Sequence, residues 1–152
     1  MTTQRLDHVV VVVDDLDAAK AFFVELGLEL EGAMPMEGDW VDRVNGLDSV
    51  RVEIAMMRTP DGNGKVELTK FLSPPLVSAE PANAPPNTLG LRSIMFAVDD
   101  LDDVVTRVRA HGADLIGEIA QYENQYRLCY VRGPGGIIVA LAEELGQPGG
   151  DQ

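Results

Sequence analysis

The feature that most constrains the fold is a repeated pentapeptide, V-D-D-L-D, found at 13–17 and again at 98–102. In both places an apolar, strand-like run precedes it, and a segment with apolar residues at helical spacing follows it. The same offset of 85 residues relates Gly27 and Gly112, the glycines that end these helical segments. Because the offset is constant from strand to helix end, we infer that the chain holds two copies of one folding module.

Module one, residues 5–72, is predicted to be β-α-β-β-β. Its first strand is rich in β-branched valine, and Asp14 or Asp15 is placed to cap the helix that ends at Gly27. Alternation of polar and apolar residues then predicts the later strands. The most clearly bounded strands are expected at 6–13, 50–57 and 65–72.

A segment rich in proline, 73–90, is predicted to be an extended linker. Module two follows at 91–145 and repeats the β-α-β-β-β order, with its helix ending at His111-Gly112. We predict one domain over residues 1–145 and a flexible tail rich in glycine and proline at 146–152. The strands of module two are expected at 93–98, 117–124, 126–132 and 136–143.

Composition narrows the classes of partner. The formal net charge of −13 argues against binding to nucleic acid or to an anionic membrane surface. No apolar run reaches the roughly 18 residues of a membrane-spanning helix, and the first residues lack the apolar stretch of a signal peptide. A cytoplasmic protein is expected. The single cysteine, Cys129, is predicted to be a buried strand residue.

Three motifs carry a resemblance to a known family: L-D-H-V-V-V-V-V-D-D-L-D at 6–17, G-K-V-E-L-T-K-F at 64–71 and R-G-P-G-G-I-I-V-A-L at 132–141. Together with the repeat, they resemble the vicinal oxygen chelate superfamily, which includes glyoxalase I, methylmalonyl-CoA epimerase, extradiol dioxygenases and bleomycin-resistance proteins. The resemblance implies an α+β fold in which two tandem βαβββ modules form a curved, cup-like mixed sheet. It says less about function, because this fold hosts several chemistries.

In metal-dependent members, each module contributes one metal ligand from its first strand and one from its last. The resemblance therefore implies His8 and Glu67 as metal ligands in module one, with Glu67 or His8 as the candidate catalytic base. The corresponding positions of module two are Ser93 and Ala140. Ser93 is a poor ligand and Ala140 cannot coordinate a metal, whereas catalytic sites typically offer about three protein ligands. The expectation is a degenerate metal site and no cofactor. The alternative is a divalent metal such as zinc, nickel or cobalt, with a missing ligand supplied by Glu53, Glu123, Tyr126 or Glu143.

Replacement of two expected ligands by Ser93 and Ala140 makes one wall of the expected pocket small and fairly apolar, which favours an apolar or aromatic ligand. Met95 is expected to share that wall. The other candidates for ligand binding are Trp40, Glu53, Tyr126 and Phe71.

Two functions stay open at this point. The first is a metal-independent protein that binds and sequesters a hydrophobic or aromatic small molecule, as resistance proteins of the superfamily do. The second is a divalent-metal-dependent lyase or isomerase of the glyoxalase I or methylmalonyl-CoA epimerase kind, which uses His8 and Glu67. Under both, exposed sheet edges and apolar faces favour a homodimer.

Overall fold

A computed structural model of the chain describes residues 2–146. The chain divides into two compact units, and the boundary falls between Ser78 and Ala79. Each unit contains one four-stranded mixed sheet. The two sheets and three helices confirm the α+β fold that the resemblance implies. The predicted tail lies outside the described residues, except for Gly146.

The first unit is built from four strands and two helices in the spatial order β1-β4-β3-β2. The first strand runs parallel to the last, and the other neighbouring strands are antiparallel. Its elements are β1 (Val9–Val12), α1 (Leu16–Leu26), β2 (Glu29–Glu37), α2 (Asp39–Asn45), β3 (Arg51–Arg58) and β4 (Lys65–Ser73).

Local sequence accounts for both ends of α1. The side chain of Asp15 accepts a hydrogen bond of 3.0 Å from the backbone N–H of Ala18, so Asp15, and not Asp14, is the cap. The helix ends where Gly27 adopts a φ of 114°, a left-handed conformation that favours glycine. Both positions agree with the sequence prediction.

The two faces of the first sheet differ in burial. The face toward α1 is apolar and closed, and Phe22 and Phe23 of the helix are buried against it. Strand alternation places Val10 and Val12 on the other face, where both remain substantially exposed. The buried face is formed by Val11, Ala55, Met57, Val66 and Leu68.

The sequence analysis missed α2, which lies between β2 and β3. The helix has only seven residues and offers too few apolar positions for a helical period to be visible. Its Asp42 carboxylate accepts hydrogen bonds from the backbone N–H groups of Ser49 (3.0 Å) and Val50 (2.7 Å), which fixes the loop that leads into β3. Val41 of the helix packs with Val50 in a small cluster of buried residues.

The second unit repeats the arrangement, with spatial order β5-β8-β7-β6. The side chain of Asp100 caps the helix through Asp103 N (3.1 Å), in the repeat position of Asp15. Its elements are β5 (Ser93–Ala97), α3 (Leu101–Arg109), β6 (Ala120–Tyr122), β7 (Tyr126–Arg132), a 3₁₀ turn (Pro134–Gly136) and β8 (Ile138–Glu144).

Two predicted boundaries in this unit are wrong. The strand predicted at 117–124 is limited to Ala120–Tyr122, because Gly117 and Glu123 adopt positive φ values of 85° and 50°. Helix α3 ends at Arg109, earlier than the predicted His111-Gly112 end. The cysteine prediction is confirmed: Cys129 is free and buried on β7, and burial raises the pKa of its thiol.

The segment predicted as a linker packs on the second unit from Ala79 onward. The guanidinium of Arg132 donates from Nη1 to the carbonyl oxygens of Ala84 and Gly136, both at 3.0 Å. Of the helices described, none is long and apolar enough to cross a membrane.

Candidate functional site

His8 and Glu67 lie together at one edge of the first sheet. His8 directly precedes β1, and Glu67 lies on β4, opposite Val10 in the parallel register. His8 Nε2 is 3.2 Å from Glu67 Oε1. The two side chains are 27% and 17% exposed, so the pair is partly screened from water but open to a ligand. The two residues that the resemblance assigns to the site in module one are therefore in direct contact.

Two further residues hold this pair: Asp7, which the sequence did not indicate, and Thr69, which strand alternation places on the face of Glu67. Asp7 Oδ2 lies 2.7 Å from His8 Nδ1, and Thr69 Oγ1 donates to Glu67 Oε2 at 2.7 Å. The pKa of Asp7 lies below its usual value because of its hydrogen bonds to His8 and then to Arg5. Thr69 is two residues after Glu67 and therefore on the same strand face, which is a signal that sequence alone contains.

The resulting chain Asp7–His8–Glu67–Thr69 fits proton transfer. The two ring nitrogens of His8 face two carboxylates, that of Asp7 through Nδ1 and that of Glu67 through Nε2, and an imidazole nitrogen donates or accepts a hydrogen bond according to the tautomer. A carboxylate that orients His in this way is the usual partner of a His base or of a metal-bound His.

The second sheet has no imidazole or carboxylate side chain at the positions equivalent to His8 and Glu67. Met95 pairs with Ala140 in the parallel register, as Val10 pairs with Glu67, so the register gives the same equivalence as the sequence repeat. Ser93 is half-buried at the start of β5. The Ala140 side chain is fully buried, so it presents no surface to a ligand.

The side chains around His8 offer fewer metal donors than a metal centre has. Within residues 2–146, no group of three or more His, Cys, Asp or Glu side chains is arranged to hold a metal ion. His8 and Glu67 supply two ligands, whereas structural sites have four and catalytic sites about three. The residues present do not fit the divalent metal that the resemblance implies.

The exposed face of the second sheet carries every tyrosine of the chain. Register and alternation place Tyr122, Tyr126 and Tyr130 on the same face as Met95 and Ala140. The rings of Tyr122 and Tyr126 stack, with centroids 5.6 Å apart and planes inclined by 29°. Met95, Tyr122 and Tyr126 are 55%, 50% and 38% exposed. These three side chains are therefore accessible on this face of the sheet.

Two of the predicted ligand-binding residues lie in other parts of the first unit. Trp40 is on α2, where its side chain is largely exposed. Phe71 shares a strand face with Glu67, but it packs against the cluster that α2 covers, beside Val52. Neither residue is brought together with His8 and Glu67 by a contact within the unit.

Two acidic residues considered as substitute ligands lie on the wrong face of their sheets. Glu53 pairs with Lys70, which alternates with Glu67 and Thr69 along the sheet, and it lines a cleft of about 350 Å³ at the start of α1. Glu143 turns toward α3, where its carboxylate accepts a hydrogen bond of 2.8 Å from Leu101 N. Glu53 therefore lies on the opposite face of the sheet from Glu67.

Known proteins match this chain over nearly its whole length. The family model described as Glyoxalase/Bleomycin resistance protein/Dioxygenase superfamily matches residues 5–141. The crystal structure of a glyoxalase family protein from Bacillus cereus is 53% identical, with a TM-score of 0.91, and the match covers 96% of this chain and 97% of that one.

Two more distant relatives were also found. The uncharacterized protein YaeR of Escherichia coli is 25% identical over 93% of this chain and 97% of its own. The fosfomycin resistance protein FosX of Listeria monocytogenes, solved with Mn(II) and sulfate, is 13% identical with a TM-score of 0.61, over 96% of this chain and 93% of its own. At that identity the match to FosX shows the fold alone.

Proposed function

Since this chain belongs to the Glyoxalase/Bleomycin resistance protein/Dioxygenase superfamily, we propose that it binds and sequesters an apolar or aromatic small molecule without a metal. This role is that of a resistance-type binding protein. The single observation that carries the proposal is the exposed aromatic face of the second sheet, with the stacked pair Tyr122–Tyr126 and the neighbouring Met95.

The chemistry of that face suits a flat apolar ligand. Aromatic rings offer a large contact area with few rotatable bonds, and offset stacking adds about 0.5–1.5 kcal/mol per ring pair beyond area burial. A thioether such as that of Met95 adapts to irregular ligand shapes. Surface-exposed apolar side chains that occur together, rather than singly, mark binding sites.

The second module has no metal-ligating side chain at the positions equivalent to Glu67 and His8, and this supports the same proposal. Ala140 replaces the position equivalent to Glu67, and Ser93 replaces the position equivalent to His8. A face without charged side chains at these positions favours an apolar ligand over a chelating one.

Nile red, a neutral dye that fluoresces in apolar surroundings, tests the proposal. We expect saturable binding by the full chain, and binding about thirtyfold weaker in Tyr122→Ser/Tyr126→Ser, because each of the two rings contributes about 1 kcal/mol. The control is Leu89→Ser, an exposed apolar residue of the same unit outside the sheet. Equal weakening by the control, or near-stoichiometric metal in protein purified without supplement, contradicts the proposal.

The His8–Glu67 contact favours a second candidate function, that of an isomerase or lyase acting on a carbonyl substrate. Glu67, held by His8 and Thr69, would remove a proton next to the carbonyl, and His8 would relay it. This candidate needs no metal for the proton transfer. It corresponds to the glyoxalase or epimerase kind of activity in the family.

Exchange of solvent deuterium into 2-oxo acids and 2-oxoaldehydes, followed by NMR, tests this second candidate. Exchange catalysed by the wild-type chain and lost in Glu67→Gln supports it, whereas Glu53→Gln is the matched control on the opposite face of the same sheet. Nickel, cobalt and zinc are added in parallel. A rise in melting temperature that Glu67→Gln abolishes would show that the metal-dependent form of this function applies.

The homodimer and the cytoplasmic location stay predictions. Apolar side chains on the exposed face of the first sheet, such as Val10, Val12 and Met34, favour self-association. Analytical ultracentrifugation of the full chain measures it directly, and a monomer at micromolar concentration would contradict the prediction.

A further inference from the structure

We propose that a cavity beside Arg92, in the second unit, binds a small oxyanion group, either a carboxylate or a phosphate. The cavity measures about 130 Å³. One of its walls comes from the proline-rich segment before β5, and the other comes from the turn that leads into β8. Arg92 is the one charged side chain among the described residues that line it.

The first argument is the hydrogen-bonding state of Arg92. Its Nε atom is buried and has no hydrogen-bond partner among the described residues. A buried N–H without an acceptor is unfavourable, and more so when it belongs to a charged group. The Nε–H and one Nη–H of a guanidinium form a fork that matches two oxygens of a carboxylate or phosphate. An oxyanion in the cavity would satisfy the orphaned donor.

The second argument is the contrast with the other basic residues. The chain has 25 acidic and 12 basic residues, and most basic side chains in the described part lie within 4 Å of a carboxylate. Arg58 pairs with Glu29, and Arg127 with Asp102. No such pair involves Arg92 within residues 2–146. In a chain of net charge −13, an arginine kept apart from carboxylates beside a cavity is available to an external anion.

The third argument is the rigidity of the cavity walls. A Cβ on Gly136, which has a φ of +80°, would lie 2.5 Å from the carbonyl oxygen of Ala82, so the two walls approach as closely as glycine permits. Arg132 joins the same walls through its bonds to Ala84 O and Gly136 O. A cavity held in this way needs little reorganisation to accept a ligand, which lowers the cost of binding.

The site is separate from the two functions proposed above. Its lining contains none of the tyrosines of the second sheet and none of the residues of the His8–Glu67 site. A ligand with an anionic group and a larger organic part is compatible with it, because the cavity is not fully enclosed.

Heteronuclear NMR of the arginine Nε–Hε groups tests the proposal on the unaltered protein. Titration with inorganic phosphate and with acetate should shift the Arg92 Nε–Hε resonance saturably at millimolar concentration or below. Phenyl phosphate is the third ligand, and tighter binding than that of phosphate indicates an anion attached to an organic group. An Arg92 resonance that no anion moves overturns the proposal.

Variants give the second measurement, by calorimetric titration with whichever anion binds best. Arg92→Gln should weaken binding about tenfold or more, because it removes a charge-assisted fork. Arg92→Lys keeps the positive charge but loses the two parallel N–H donors, so its affinity for the anion should lie between those of wild type and Arg92→Gln. The control Arg109→Gln removes an exposed arginine of the same unit and should leave binding unchanged. Equal affinity of Arg92→Gln and wild type would refute the site, and thermal melting confirms that each variant is folded.

Discussion

His8 Nε2 lies 3.2 Å from Glu67 Oε1, across the parallel pairing of the first and last strands of the first unit. The contact joins residues that are distant in sequence, and it depends on both strands being in register. Asp7 on one side and Thr69 on the other complete a chain of four polar side chains. Thr69 is the last of these four side chains, so its role can be tested by removing its hydroxyl group alone.

Thr69→Val should destabilise the first unit by about 1 kcal/mol. Valine has nearly the same shape, but it removes the hydroxyl that donates to Glu67 Oε2 and leaves a largely buried carboxylate with one donor fewer. Urea unfolding measures the change. Thr106→Val, which removes an exposed hydroxyl on α3, is the control and should stay within about 0.5 kcal/mol of wild type.

The two helix caps should be equivalent in energy. Asp15→Ala and Asp100→Ala each remove one side-chain acceptor from a helix N-terminus and should each cost about 1 kcal/mol in the free energy of unfolding. The neighbours Asp14 and Asp99 supply matched controls, since their replacement by alanine leaves both caps in place. A loss for Asp14→Ala as large as that for Asp15→Ala would contradict the assignment of the cap.

Ala140→Glu, which restores the acidic residue of the first module, should not restore a functional site. The side chain of Ala140 is fully buried between Met95 and Tyr130 in the sheet register, and a carboxylate there loses its hydration. We expect a loss of about 3 kcal/mol or more, seen as a lower melting temperature. Ala97→Glu, at an exposed position of β5, is the control and should cost much less.

The ion pair between Asp102 and Arg127 makes the free energy of unfolding depend on pH in the acid range. The pKa of Asp102 is lowered from its usual 3.8 because it accepts a hydrogen bond from Arg127 and is then attracted by the same cation. A lowered folded-state pKa gives stability that is present above pH 3.8 and lost as the pH falls through the lowered pKa. In Arg127→Gln, a carboxyl NMR titration should return the pKa of Asp102 toward 3.8. An unchanged titration would refute the pair.

Sequence alone predicts those parts of the fold that local chemistry determines. A cap at Asp14 or Asp15 and the helix end at Gly27 follow from residue preferences at helix termini, and the structure selects Asp15 and its repeat position Asp100 as the caps. The short helix α2 is not predictable in this way, because seven residues cannot show a period and its position depends on Asp42 binding the next loop.

In the candidate site, too, some features follow from local sequence and others depend on how the strands and segments pack. Alternation along β4 predicts that Glu67 and Thr69 share a face, and motif matching pairs Glu67 with His8. The face of Glu53 depends on the register in which β3 pairs with β4, which places Glu53 opposite Lys70 and which no local signal in the sequence gives. The orphaned Nε of Arg92 depends on how the proline-rich segment packs, which no local signal in the sequence indicates.

The parallel pairing of β1 with β4 also has a consequence for the order of folding. Strands β2, β3 and β4 are neighbours in sequence and form antiparallel pairs, so their contacts close short loops, whereas Val9 must find Val66 across all of them. We expect β1 to dock last, and with it His8 against Glu67. Pulsed hydrogen exchange during refolding should protect β3 before β1, and simultaneous protection would contradict this order. The polar chain around His8 would then exist only in molecules whose first unit has finished folding.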